Sequence, residues 1–162
     1  MPDWVQIVNH QHEMGHAEDE YELATKPGVG ADQLDQLADR LGISLPEEFR
    51  DFYLTFNGFG VAPEDDPSDV SWLFQPLEDL PGFIDSMRSS FAETHADVAA
   101  RFFPFIDWAN GDSMGYLTDS AGIVLPGLFC FEHESYAYNA NQEADEFISA
   151  FPVTIEEFLS GE

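Results

Sequence analysis

The stretch from Leu41 to Val61 constrains this chain more than any other. Gly42 offers the left-handed conformation that closes a helix, so the residues up to Leu41 are expected to be helical. Ser44 and Glu47 stand at capping-box spacing. Pro46 falls in the first turn of a new helix, where its missing N–H is no loss. Phe49, Phe52, Tyr53 and Phe56 recur at i, i+3, i+4 and i+7, which sets their rings on one helical face. Asn57-Gly58 is then expected to stop the helix, since both residues tolerate positive φ. The spacing therefore predicts a helix from about Pro46 to Phe56 that buries Phe49, Phe52 and Phe56.

On either side the pattern alternates between helical and strand periods. Asp3 can cap a short helix with Trp4, Ile7 and Val8 on one face. Glu18 to Glu22 is acidic, and Lys26-Pro27-Gly28 reads as a loop. Leu34, Leu37, Ala38 and Leu41 repeat the helical spacing over Asp32 to Leu41. Beyond Gly60, the prolines and acids of Pro63 to Asp69 read as a solvated loop, followed by a strand over Val70 to Phe74. One long helix is predicted from about Gly82 to Phe102, then a strand from Phe103 to Trp108. Asn110-Gly111 signals a hairpin, and Asp119 to Gly122 a further turn. Strands are expected at Ser113–Leu117, Ile123–Leu125 and Leu128–Phe131. Thr154 and Glu157 make a capping box for a last helix that buries Ile155, Phe158 and Leu159. Helices, a meander of strands with one helix inserted, and a closing helix amount to an α+β domain. Its sheet should be antiparallel or mixed, with the helices packed on one face.

The residue identities in the central stretch go further than their periodicity. Leu41-Gly42, then Leu45-Pro46-Glu47-Glu48-Phe49-Arg50-Asp51-Phe52, then Asn57-Gly58 resembles the signature of the SUKH superfamily. That superfamily holds the fungal Smi/Knr cell-wall assembly regulators and many bacterial toxin-immunity proteins. The resemblance extends to Phe105-Ile106-Asp107 leading to Gly111-Asp112, to Leu128 through His133-Glu134, and to Ile155 through Leu159, so it covers roughly residues 30 to 160. Residues 1–29 are left as an N-terminal helix and acidic lead-in to a single domain spanning 1–162. The resemblance implies a non-enzymatic α+β binding domain with a partner surface in a cleft beside the sheet. Family members differ in partner, so fold follows from it more directly than function.

Charge narrows the partner. Five Lys and Arg stand against thirty-two Asp and Glu, a formal net charge of −27. Such a surface is expected to avoid nucleic acid and anionic membrane and to attract cations. Adaptation to high salt would leave the same composition, and the single lysine, Lys26, fits that bias. With 44% apolar residues, fifteen of them Phe, the chain is nonetheless built to fold. Cys130 lies in an apolar run and reads as a small buried hydrophobe. No apolar run reaches spanning length, and Met1 to His16 lacks a basic segment followed by an apolar one. The expected location is cytoplasmic.

Two patterns suggest catalysis and are set aside. His12-Glu13-Met14-Gly15-His16 matches the H-E-x-x-H zinc-hydrolase pattern, and Glu22 could supply a third ligand. Only eleven residues precede it, too few for the sheet that backs such a helix. Gly15 also weakens the helix that must carry both ligands. Glu132-His133-Glu134 resembles an acid–base cluster, but in a strand the two acids would point away from His133. No metal, cofactor or catalytic residue is expected. The candidate partner surface comprises Glu64, Asp65, Asp66 and Asp69 beside Trp72, with Asp112, Glu132 and Glu134 on later turns. Carboxylates steer a cationic protein surface while an aromatic ring anchors it. The expected function is that of an immunity protein holding a basic toxin domain, such as a nuclease, in stoichiometric complex. The alternative is an intracellular scaffold or regulator of the Smi/Knr type.

Overall fold

The computed structural model describes residues 2–16 and 20–161, with the side chain of His16 also outside that description. Part of the acidic lead-in, Glu18 and Asp19, therefore lies outside the described residues. The chain runs as α1 (Trp4–His16), β1 (Tyr21–Pro27), α2 (Ala31–Leu41), α3 (Glu47–Thr55), β2 (Phe56–Pro63), β3 (Ser71–Phe74), α4 (Leu80–Ser89), α5 (Ala96–Arg101), β4 (Phe102–Asp107), β5 (Ser113–Leu117), β6 (Leu128–Phe131), β7 (Ile148–Phe151) and α6 (Ile155–Ser160). The strands form one antiparallel sheet in sequence order, β1 to β7, an open meander with β1 and β7 at its edges. The α+β class and the antiparallel sheet are as expected.

The central helix is the hub. Phe49, Phe52 and Tyr53 have no exposed surface, whereas Phe56 has already left the helix to begin β2 and is half-buried. Phe52 packs within 5.3 Å of Trp4 and 4.7 Å of Phe74, centroid to centroid, and Phe49 lies 5.2 Å from Phe105. One helix thus joins α1 to the middle of the sheet. Glu48 extends the bracing: Tyr116 Oη donates to one of its oxygens at 2.8 Å and the Ile155 N–H to the other at 2.9 Å. The second acid of Leu-Pro-Glu-Glu therefore ties α3 to β5 and satisfies the start of α6.

Several local expectations hold. Gly42 adopts φ 69° and returns its N–H to Ala38 O at 2.8 Å. The Gln6 N–H donates to Asp3 Oδ1, and Thr154 with Glu157 forms the reciprocal capping box on α6. Ser44 does not cap α3. Pro46, at φ −56° and ψ 148°, is the last non-helical residue. A residue before proline is pushed out of the helical region, so Leu45 cannot be part of the first turn and the helix starts late.

Other expectations need correction. Asn57-Gly58 does not end a helix; the helix stops at Thr55, and these residues form an irregularity in β2, where residues 25–27 of β1 oppose 56–59. Gly58 takes φ 89°, and a Cβ there would lie 2.6 Å from Phe74 O. Asn57 is buried, accepting the Leu77 N–H at 2.6 Å and donating to Glu78 at 2.7 Å. β1, β2 and β7 were not expected as strands. Gly58 and Gly60 disguise β2 in sequence, yet a Cβ on Gly60 would meet Ser71 O at 2.0 Å, so glycine is what lets β3 approach. The long helix over Gly82–Phe102 is two, α4 and α5. Between them the Ser89 and Thr94 hydroxyls bond back to the Ser86 and Phe91 carbonyls, competing with helical hydrogen bonds. Ile123–Leu125 makes an isolated bridge, Thr118 to Val124, in place of a strand.

The main core lies between the sheet and α1, α2, α3, α4 and α6, with Leu80 and Ile84 the buried contribution of α4. In β6, Leu128 and Cys130 point into it, whereas Phe129 and Phe131 point the other way. There a smaller cluster of Phe91, Val98, Ala99, Phe102, Phe131, Phe147 and Ile148 covers the β4–β7 half of the opposite face.

Candidate functional site

The meander brings residues far apart in sequence to one end of the sheet. Tyr21 pairs with Pro63, Ser71 with Val61, Asp107 with Ser113, and Ser113 with Phe131. The loop carrying Glu64, Asp65, Asp66 and Asp69, the Asp107–Asp112 hairpin and the turn carrying Glu132 and Glu134 all leave the sheet at that end. At about 4.8 Å per strand, the distance from β3 to β6 is roughly 14 Å. The candidate residues thus lie along one rim but fall into two groups.

In the first group Glu64, Asp65, Asp66 and Asp69 are exposed, and Trp72 is half-buried at the start of β3. Phe59 pairs with Phe74 but Gly60 pairs with Trp72, so Leu73 is an extra residue, a bulge on β3. Trp72 and Phe74, two apart, consequently face opposite sides. Phe74 enters the main core, and Trp72 joins Ala24 and Gly60 on the other face. Lys26 Nζ sits 5.3 Å above the Trp72 ring and 2.7 Å from Glu78 Oε1. Partial burial works against ionisation of Glu78. The hydrogen bonds from Lys26 and Asn57 and the lysine charge outweigh it and hold its carboxyl below the usual range.

In the second group two of the three acids are already engaged. Asp112 Oδ1 accepts the His133 backbone N–H at 3.0 Å and faces His133 Nδ1 at 2.5 Å. Glu132 accepts the Ser149 hydroxyl at 2.6 Å, and Glu134 is exposed. The alternation argument for His133 does not hold, because β6 ends at Phe131 and His133–Ser135 is a 3₁₀ turn. That turn swings the imidazole onto Asp112. Burial, with the charges of Asp112 and Glu132 adding, pushes the Cys130 thiol up to about 12.

Between the groups lies a groove that the sequence did not disclose. It encloses about 390 Å³ between α1 and the sheet end, lined on one side by Gln11 and His12 and on the other by Leu23, Phe59, Val61, Leu73, Asp107 and Trp108; Trp72 borders it along β3 while its ring lies under Lys26. Trp108 is 42% exposed and rests its edge on Phe158 of α6 at 5.7 Å. It is held there by Ala109, which takes φ 60° while its N–H donates to Asp107 Oδ1 at 2.8 Å. A non-glycine residue in the left-handed region beside a groove is a common mark of a functional turn. Trp-Ala-Asn-Gly was legible only as a hairpin, because its aromatic role depends on α6 arriving from the far end of the chain.

The zinc pattern does lie on a helix, α1, with His12 facing the groove and Glu13 exposed. Its second histidine, His16, has its side chain outside the described residues. Among the described residues no three His, Cys, Asp or Glu side chains are grouped to hold a metal ion. Glu22, the suggested third ligand, is on β1. No described helix is long and apolar enough to cross a membrane.

No curated protein matches the chain. The sequence profile of the SMI1/KNR4 family (SUKH-1) matches residues 28–150. That span takes in α3 with its Leu-Pro-Glu-Glu-Phe motif, the buried Asn57 and the strands from β2 to β7, save Phe151 at the end of β7. A non-catalytic, protein-binding role accords with that match. The signature residues at the hub, the meander they organise and the matched span together make this chain a member of the SMI1/KNR4 family (SUKH-1).

Proposed function

We propose that this chain is an immunity protein that captures a basic toxin domain at the acid-rimmed end of its sheet. One observation carries the reading: three separate connections deliver carboxylates to one end of the sheet, where Trp108 lines a groove on the α1 side and Trp72 stands on the opposite face. Glu64, Asp65, Asp66, Asp69, Glu134 and the partly free Asp112 and Glu132 supply the field, and the tryptophans supply apolar anchorage. A toxin that acts on a polyanion carries a cationic active-site surface, and these acids occupy the place of its substrate. Inhibition is then stoichiometric and takes place in the cytoplasm of the producing cell.

The test has two steps: a toxin gene should stand immediately upstream of the gene for this chain, and the purified toxin domain is then titrated with the protein. Protection should rise linearly and saturate at one molar equivalent, with a stable one-to-one complex. Trp72→Ala with Trp108→Ala should weaken that complex at least tenfold. Protection by catalytic amounts would overturn the stoichiometric mechanism and reopen the zinc-hydrolase reading. Recovery of an endogenous cationic protein, with no effect on the toxin, would replace immunity with the scaffold or regulator role.

A further inference from the structure

β1 is an edge strand, and its sequence is self-complementary. It runs Tyr21-Glu22-Leu23-Ala24-Thr25-Lys26-Pro27. The ladder with β2 fixes which backbone groups face outward. Pro63, opposite Tyr21, has no N–H, and the Glu64 N–H donates to Glu20 O at 3.0 Å. Residues 20, 22 and 24 therefore make the close hydrogen-bonded pairs with β2, and the backbone N–H and C=O groups of Leu23 and Thr25 point to the open edge.

An antiparallel pairing of this edge with its own copy, centred on Ala24, places Leu23 opposite Thr25, each pair exchanging both N–H···O bonds. It places Glu22 opposite Lys26 twice, at non-hydrogen-bonded positions, where side chains approach closest. Glu22 and Lys26 project from the same face of β1 because they are four apart in a regular strand. Lys26 is the only lysine in a chain of net charge −27, and it stands where this two-fold register needs a cation. A lysine on an edge ordinarily discourages pairing. Here the two-fold sets it against an acid, not against another lysine. Its ammonium has three donors, so it can retain Glu78 at 2.7 Å and still meet the second copy's acid.

We propose that β1 is a homodimerisation edge, joining two copies into one continuous antiparallel sheet. The two-fold axis stands perpendicular to that sheet, so both copies present Trp72 on the same face. The repulsion between two chains of −27 opposes the contact, and salt relieves it.

Sedimentation equilibrium of the full chain decides the matter. Association should tighten at least tenfold between about 0.15 M and about 1 M KCl, over which the Debye length falls from near 8 Å to near 3 Å. Thr25→Pro removes an outward N–H without touching the ladder to β2 and should return the chain to monomer. Glu22→Lys is the sharper variant. It lowers the net charge, so a bulk-charge effect would strengthen association, whereas the register sets like charges together and should weaken it at least tenfold. The double variant Glu22→Lys with Lys26→Glu should restore it. If Thr25→Pro does not fold, this charge-swap pair decides alone. A chain that stays monomeric at high salt, or a dimer indifferent to Glu22→Lys, overturns the proposal. Toxin titration is read separately, so failure here leaves the immunity reading standing.

Discussion

Phe52→Ala is the most direct test of how the fold is held. The phenylalanine has no exposed surface. Its ring meets Trp4 at 5.3 Å, Tyr53 at 5.5 Å, Phe59 at 6.0 Å and Phe74 at 4.7 Å. Those neighbours come from α1, α3, β2 and β3, so no single rearrangement can close the space left behind. A buried Phe→Ala change costs about 3–5 kcal/mol, and partial relaxation sets where in that range it falls. Four aromatic neighbours on separate elements argue for the upper half, about 4 kcal/mol. For a chain of this size each kcal/mol shifts the melting temperature by roughly 2–4 °C, so a drop on the order of 12 °C is expected. Urea unfolding should show a lower midpoint with unchanged slope, because the native surface is the same. A loss below about 1 kcal/mol would mean the site is not the packed centre described, and the reasoning from α3 outward would fail.

Other outcomes follow from the same contacts. Glu48→Ala strands the Tyr116 hydroxyl and the Ile155 N–H and should cost about 2–4 kcal/mol by urea unfolding, with Glu48→Gln costing less. Cys130, buried and with its thiol pushed up to about 12, should react with iodoacetamide at pH 8 no faster than the protein opens, and at full rate once unfolded. Glu78 has a folded pKa below its unfolded one, so its contribution to stability is complete above the ordinary Glu range. It drains as pH falls through the depressed value, and Glu78→Gln should flatten the acid limb of the stability curve. Toxin association should slow steeply as salt passes about 0.15 M. Asp65→Asn with Asp66→Asn should slow it, while Asp32→Asn with Asp39→Asn on α2 should change it little; Asp35 is a poor control because it pairs with Arg50 at 2.8 Å. A metal chelator should leave the melting temperature unchanged, and a tightly held zinc surviving purification would contradict that.

Much of this protein was determined by sequence alone. Gly42, the Thr154–Glu157 box, Asn110-Gly111 and the aromatic face of α3 are local signals. Each depends on residues within one or two turns of itself, and each appears in the structure where its chemistry puts it. The net charge and the acidic loop beside Trp72 were legible for the same reason. Tertiary structure decided the rest. β1, with its mixed charges, becomes a strand only because β2 lies beside it, and β2 becomes one because glycines at 58 and 60 let neighbouring chains approach to distances a Cβ would forbid. The bulge at Leu73 turned Trp72 away from Phe74, a reversal that no period-two reading can anticipate. The groove needed α1, β1 to β4 and the Trp108 turn in one place, and Trp108 needed Phe158 from α6 to stand against. Such features arise from residues tens of positions apart, and their geometry is set by packing, which the chain's local pattern does not encode.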